Sequence, residues 1–156
     1  PVSRRAAEAG LGRSAHAGEA AGPESVWSAL RDLGVERVGH GIRSVEDPEL
    51  VDHLVERQVP LELCPTSNIR TGVVASWEAH PAVELIERGA RVTVNSDDPT
   101  YFGCTLAGDL RRLAMLTDLD VERHTRYAIE ASFANQATRR LLAAEVEAFW
   151  AQRSHG

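Results

Sequence analysis

Short apolar runs alternate with longer amphipathic ones along most of the chain, and this rhythm restricts the fold more than any other feature of the sequence. Residues 11–15, 37–39, 59–63 and 91–94 read as strands. Between them, helices are predicted. The first opens at Gly22-Pro23 and carries Val26, Trp27, Leu30 and Leu33 at helical spacing. The second opens at Asp47-Pro48, an N-cap followed by proline at the first helical position, and runs to about Arg57. A third begins at His80-Pro81, turns Val83, Leu85 and Ile86 inward and stops at Gly89. Beyond Pro99 the pattern is helical over about 104–117, 120–133 and 136–152, and residues 2–9 read as the tail of another helix. Strand followed by helix, repeated, predicts an α/β fold on a parallel sheet.

Ionisable residues collect where the predicted strands end: His16 with Glu19, His40, and the pair Asp97-Asp98. In parallel α/β folds the carboxyl ends of several strands converge on one mouth, which is where active sites form. In His16-Ala17-Gly18-Glu19, a strand-end imidazole can face a metal, and the glycine lets the backbone turn so that the glutamate returns to the same mouth. The plain alternative is a satisfied histidine and a helix-start glutamate. Gly39-His40-Gly41 suits a base or an orienting group beside a ligand, or simply a turn histidine. In Asn95-Ser96-Asp97-Asp98-Pro99 two adjacent carboxylates repel one another unless a cation or a donor-rich ligand sits between them. A metal on Asp97 and a substrate hydrogen bond on Asp98 would answer that; a helix N-cap would need only one Asp. His53, His80, His124 and the tail residue His155 read as structural, and Cys64 as a buried thiol with no positioned base.

Composition removes several function classes. Of 156 residues, 17 are basic against 23 acidic, a net charge of −6, and no basic stripe is present that would follow a nucleic-acid backbone. Every basic residue is arginine, so Schiff-base lysine chemistry is excluded within these residues. No apolar run approaches the roughly 20 residues that cross a bilayer. Cys64 and Cys104 lack metal-ligand spacing and suit a reducing compartment, which together with the family resemblance drawn below points to the cytoplasm.

In this order, His16-Ala17-Gly18-Glu19, Val38-Gly39-His40-Gly41, Leu63-Cys64-Pro65-Thr66-Ser67-Asn68 and Asn95-Ser96-Asp97-Asp98-Pro99 resemble the adenosine and adenine deaminase family of metal-dependent amidohydrolase barrels. The resemblance implies strands five to eight of a TIM-type (β/α)8 barrel followed by carboxy-terminal helices, so that residues 1–156 form a single partial domain, the carboxy-terminal half of a barrel. It implies zinc, one ion per complete site, with His16 and Asp97 as ligands. Glu19 is similar to the acid that protonates the purine ring nitrogen, and His40 to the residue that orients the zinc-bound water. Asp98 is similar to the carboxylate that holds the imidazole-side nitrogen of the purine. Zinc with such ligands lowers the pKa of bound water to roughly 7, which makes hydrolytic loss of ammonia feasible near neutrality.

The chain departs from the family pattern in having no His-x-His pair, which the family carries on its first barrel strand. A complete barrel takes about 250 residues. The expectation is therefore a fragment, inactive alone, whose missing amino-terminal half is supplied in cis or in trans. The expected reaction is deamination of adenosine to inosine, with adenine or aminodeoxyfutalosine as the alternative substrate, and no nucleic-acid or membrane partner. The rival from another class is a truncated, non-catalytic form that serves as a binding or assembly partner.

Overall fold

In the computed structural model, which describes residues 2–153, four parallel strands lie in sequence order β1-β2-β3-β4. They are β1 (Ser14–Ala17), β2 (Arg37–His40), β3 (Leu61–Leu63) and β4 (Val92–Val94). Each is joined to the next by helical segments, as parallel neighbours require. Helix α1 (Val2–Glu8) precedes the sheet, and α2 (Pro23–Ser28) passes into a π turn over Ala29–Leu33 that ends at Gly34. After β2 comes α3 (Pro48–Arg57); after β3 come α4 (Pro65–Arg70) and α5 (Ala82–Glu87). The chain then continues through α6 (Pro99–Phe102), α7 (Leu106–Leu116), α8 (Val121–Ala131) and α9 (Gln136–Arg153). Sequential parallel strands with intervening helices are the layout of part of a parallel α/β barrel.

The register sorts side chains into two faces. Ala15, Val38, Leu61 and Val92 form one row across the sheet, and the last three are fully buried. With Val26, Leu50, Val51, Leu54 and Leu85 from the helices they make the core. Shortening any one of these leucines to alanine would cost about 2–5 kcal/mol. The next row, His16, Gly39, Glu62 and Thr93, faces the opposite way and is mostly polar. Just below it on the same face, Ser14 donates to Glu62 at 2.8 Å, and Arg37 pairs with Glu62 at 3.3 Å.

Local signals placed the helices well. Asp47 accepts from the backbone N–H groups of Glu49 and Leu50 and Pro48 occupies the first turn, so α3 starts where its cap predicts. Thr105 and Asp120 cap α7 and α8 in the same way. The strands shift by a few residues. The β1 ladder begins at Ser14 opposite Arg37, which puts His16 inside the strand rather than just beyond it, and leaves Leu11 62% exposed. The sequence pattern predicts no separate helices at α4 and α6; each is a short helix with a proline in its first turn. Leu33 is exposed because the π turn rotates it off the apolar face, and in α5 Ala82, not Val83, is buried beside Leu85. His155 lies outside the described residues.

Candidate active site

The strand-end residues meet at one mouth. His16, His40, Glu62, Cys64, Asn95 and Asp97 line a cavity of about 370 Å³. Gly39 allows this closeness: a Cβ there would sit 3.3 Å from the His16 Cα. The His16 and His40 rings lie 5.0 Å apart, centre to centre. Gly18, at φ +64°, turns the chain so sharply that a side chain would strike Val26 and the Gly41 backbone. That turn returns Glu19 to the mouth, where its Oε1 lies 3.4 Å from His40 Nδ1.

Two of the functional candidates are held in the left-handed region. Among the described non-glycine residues only His40 (φ +60°), Gln58 and Asp97 (φ +56°) have positive φ, and Gln58 merely ends α3. Each such backbone costs on the order of 1–3 kcal/mol and persists only where its surroundings impose it. Adjacent residues of α4 hold the side chains of both His40 and Asp97. Ser67 donates to Asp97 Oδ2 at 2.7 Å, and the Asn68 amide contacts both Glu19 Oε1 at 2.9 Å and His40 Nδ1 at 3.1 Å.

The paired aspartates divide their work. Asp98 caps α6, its Oδ1 accepting from the Tyr101 N–H at 2.9 Å, and it is exposed and does not line the cavity. Asp97 takes no part in the cap and is left facing the cavity. Burial, helped by the neighbouring His16, holds His40 below the ordinary imidazole range against the opposing pull of Glu19 and Asp97. His40 is therefore neutral near pH 7. Burial, reinforced by the Asp97, Glu19, Glu62 and Asp109 carboxylates, pushes the Cys64 thiol up to about 12.

Could this site hold a metal? A ring nitrogen of His40, the Cys64 sulfur and an Asp97 carboxylate oxygen lie within 4.8 Å of one another, and His16 lines the same cavity. Imidazole and carboxylate donors at an open cavity suit zinc, which takes four ligands at structural sites and three plus an open position at catalytic ones. The residues present fit such an ion, as an incomplete set. The compact group differs from the expected pair: Asp97 is in it, but with His40 and Cys64 rather than His16.

Ser67 and Asn68 belong to a motif that the sequence showed, but sequence reasoning gave neither a role. The signal was Cys64-Pro65: a proline directly after a strand end starts a helix, so the next residues occupy its first turn at the mouth. Of the histidines set aside as structural, the three among the described residues do pack that way. His53 lies against Trp27, His80 accepts from the Ala82 N–H, and His124 Nδ1 meets the Val92 carbonyl at 2.8 Å. Among the described residues no helix is long and apolar enough to cross a membrane. Both cysteines are free.

A parallel α/β sheet whose strand tips gather histidines and carboxylates around one cavity has the layout of the active-site end of a parallel α/β barrel. The sequence profile of the adenosine deaminase family matches residues 3–149, and the chain belongs to that family. It is 46% identical over 155 residues to an aminodeoxyfutalosine deaminase of Streptomyces avermitilis, covering 97% of this chain and 43% of that protein. It is 42% identical over 147 residues to an adenosine deaminase of Escherichia coli O157:H7, covering 92% of this chain and 44% of the relative. The crystal structure of an adenine deaminase from Arthrobacter aurescens superposes with a TM-score of 0.88 at 41% identity, covering 95% of this chain and 46% of that one. The chain thus spans less than half the length of the relatives it matches.

Proposed function

We propose that the complete protein to which this chain belongs is a zinc-dependent hydrolase that removes the 6-amino group of a purine, with adenosine as first substrate. The observation that carries the reading is the strained pair His40 and Asp97, locked by Ser67 and Asn68 around one cavity beside Glu19. Strain held in place at a cavity is the mark of a working site rather than of a turn. The chain supplies strands five to eight of the barrel, and the other strands, in cis or in trans, complete the metal site and the purine pocket.

His16 and Asp97 would hold the zinc, whose chemistry is Lewis-acid activation of water for attack on the carbon bearing the amino group. Glu19 delivers a proton to the adjacent ring nitrogen as charge builds there. His40, neutral and buried, orients the attacking water. Asp98 keeps a second oxygen, Oδ2, for the imidazole-side nitrogen of the purine while Oδ1 caps α6. Free thiols at Cys64 and Cys104 agree with a cytoplasmic enzyme.

A second substrate reading has an observation of its own. Over matches that cover 97% and 92% of this chain, identity is 46% to the aminodeoxyfutalosine deaminase and 42% to the adenosine deaminase of Escherichia coli, which supports the larger nucleoside as the alternative. Turnover of adenosine, adenine and aminodeoxyfutalosine by the complete protein decides among them. The test of the reading itself is zinc content together with ammonia release, in the wild type and in His16→Ala and Asp97→Ala. Both readouts should vanish in the two variants; a variant that keeps turnover would refute the ligand assignment. Absence of zinc and ammonia release from the complete wild type would favour a non-catalytic binding partner.

A further inference from the structure

We infer that Asn68 is a positioning residue that fixes Glu19 and His40 in one geometry by donating the two protons of its side-chain amide, one to each. The inference rests on the deaminase reading above and assigns a role to the Leu63–Asn68 segment that the metal ligands and the acid leave unexplained.

Asn68 is fully buried. Its Nδ2 lies 2.9 Å from Glu19 Oε1 and 3.1 Å from His40 Nδ1, while those two acceptors are themselves 3.4 Å apart. Oδ1 has no hydrogen-bond partner among the described residues. A buried unsatisfied acceptor costs about 1–3 kcal/mol, so the amide is oriented for what its NH₂ group does. The backbone of Asn68 is anchored on both sides: its N–H donates to Cys64 O at 2.9 Å, and its carbonyl accepts from Val74 N at 3.0 Å and from Thr71 Oγ1 at 3.2 Å. The group therefore has little freedom to follow Glu19 or His40; they follow it.

The chemical consequence is specific. An imidazole that accepts at Nδ1 carries its proton on Nε2 when neutral. His40 then meets the reacting water as a hydrogen-bond donor. Glu19, with Oε1 occupied by the amide, is left Oε2 to work on the ring nitrogen. Loss of the amide N–H groups frees both partners, and a misplacement of about 1 Å in such a site costs on the order of 100-fold in rate.

The test is Asn68→Asp in the complete protein, which keeps the shape and removes the NH₂ group. Expected are a fall in kcat of about 100-fold, a KM within about threefold of wild type, and unchanged zinc content. Nitrogen-15 shifts of the His40 ring should report protonated Nε2 in the wild type and protonated Nδ1 in the variant, because a carboxylate can only accept. Unchanged kcat with an unchanged His40 tautomer would overturn the inference. So would loss of zinc, since Asn68 would then act through the metal ligands. Should Asn68→Asp not fold, Asn68→Ser is judged by the same criteria: reduced kcat at constant KM supports the role and unchanged kcat refutes it. The wild-type assay separates the two levels. A complete wild type without zinc or ammonia release defeats the deaminase reading, whereas the ring tautomer tests the hold of Asn68 on His40 without any turnover.

Discussion

Replacing Gly18 with alanine should loosen the mouth of the sheet at the point where β1 and β2 give way to their loops. Gly18 sits at φ +64°, where an L side chain costs roughly 1–2 kcal/mol. The new methyl would also meet Val26 Cγ2 at 2.6 Å and the Gly41 Cα at 3.1 Å. The first contact can yield by a rotamer change, but the second is backbone, held by the bond from Gly41 N to Ala17 O at 2.9 Å. Overpacking of that kind adds typically about 1–3 kcal/mol. After the entropy that alanine removes from the unfolded chain, the net loss is about 2–4 kcal/mol. Gly72→Ala is the matched control: φ is +76° but nothing lies within 4 Å of the point a Cβ would occupy, so its cost should stay near or below about 1 kcal/mol. Urea unfolding of the complete protein, followed by tryptophan fluorescence, reads both. With m of about 2 kcal/mol/M, the midpoint should fall by about 1–2 M for Gly18→Ala and by about 0.5 M or less for Gly72→Ala. Because Glu19 follows directly, Gly18→Ala should also lower kcat by about 10–100-fold. Equal midpoint losses in the two variants would refute the reasoning, because the crowding of Gly18 against Gly41 is the whole difference between them.

Other outcomes follow from single contacts. Ser67→Ala removes the donor that holds Asp97 Oδ2 and should weaken zinc binding by about 10–100-fold in a chelator competition. Burial holds His80 near pKa 4, and its Nδ1 must stay unprotonated to accept from the Ala82 N–H. Its folded pKa lies below the unfolded value, so the unfolded state binds the proton first. Stability is full above about pH 6.5 and falls by up to about 3 kcal/mol as pH drops towards 4. Urea midpoints at pH 7.5 and 5 should show this fall, and His80→Gln should flatten it; an equal slope in the variant would refute the assignment. At pH 8, iodoacetamide should label half-buried Cys104 well before buried Cys64, whose thiol is pushed up to about 12; the reverse order by mass spectrometry would contradict the site geometry.

What could be read from the residues alone is what short-range physics writes into short stretches. Strand and helix periodicity, the Asp47-Pro48 cap and the glycine turn after His16 each depend on a few neighbouring residues, and they placed the elements and the tips where chemistry gathers. Strand ends were less legible, because β1 runs through His16 only by pairing with β2, and pairing is not a local property.

The tertiary structure alone decided which polar atoms meet. Asn68 reaches Glu19 across 49 positions and His40 across 28, and Ser67 reaches Asp97 across 30. It also gave Asp98 the cap of α6 and left Asp97 facing the cavity, and it brought Cys64 beside His40. The physical reason is that these contacts depend on sheet register and on left-handed backbone at His40 and Asp97. A side chain imposes neither by itself; the packed neighbours do.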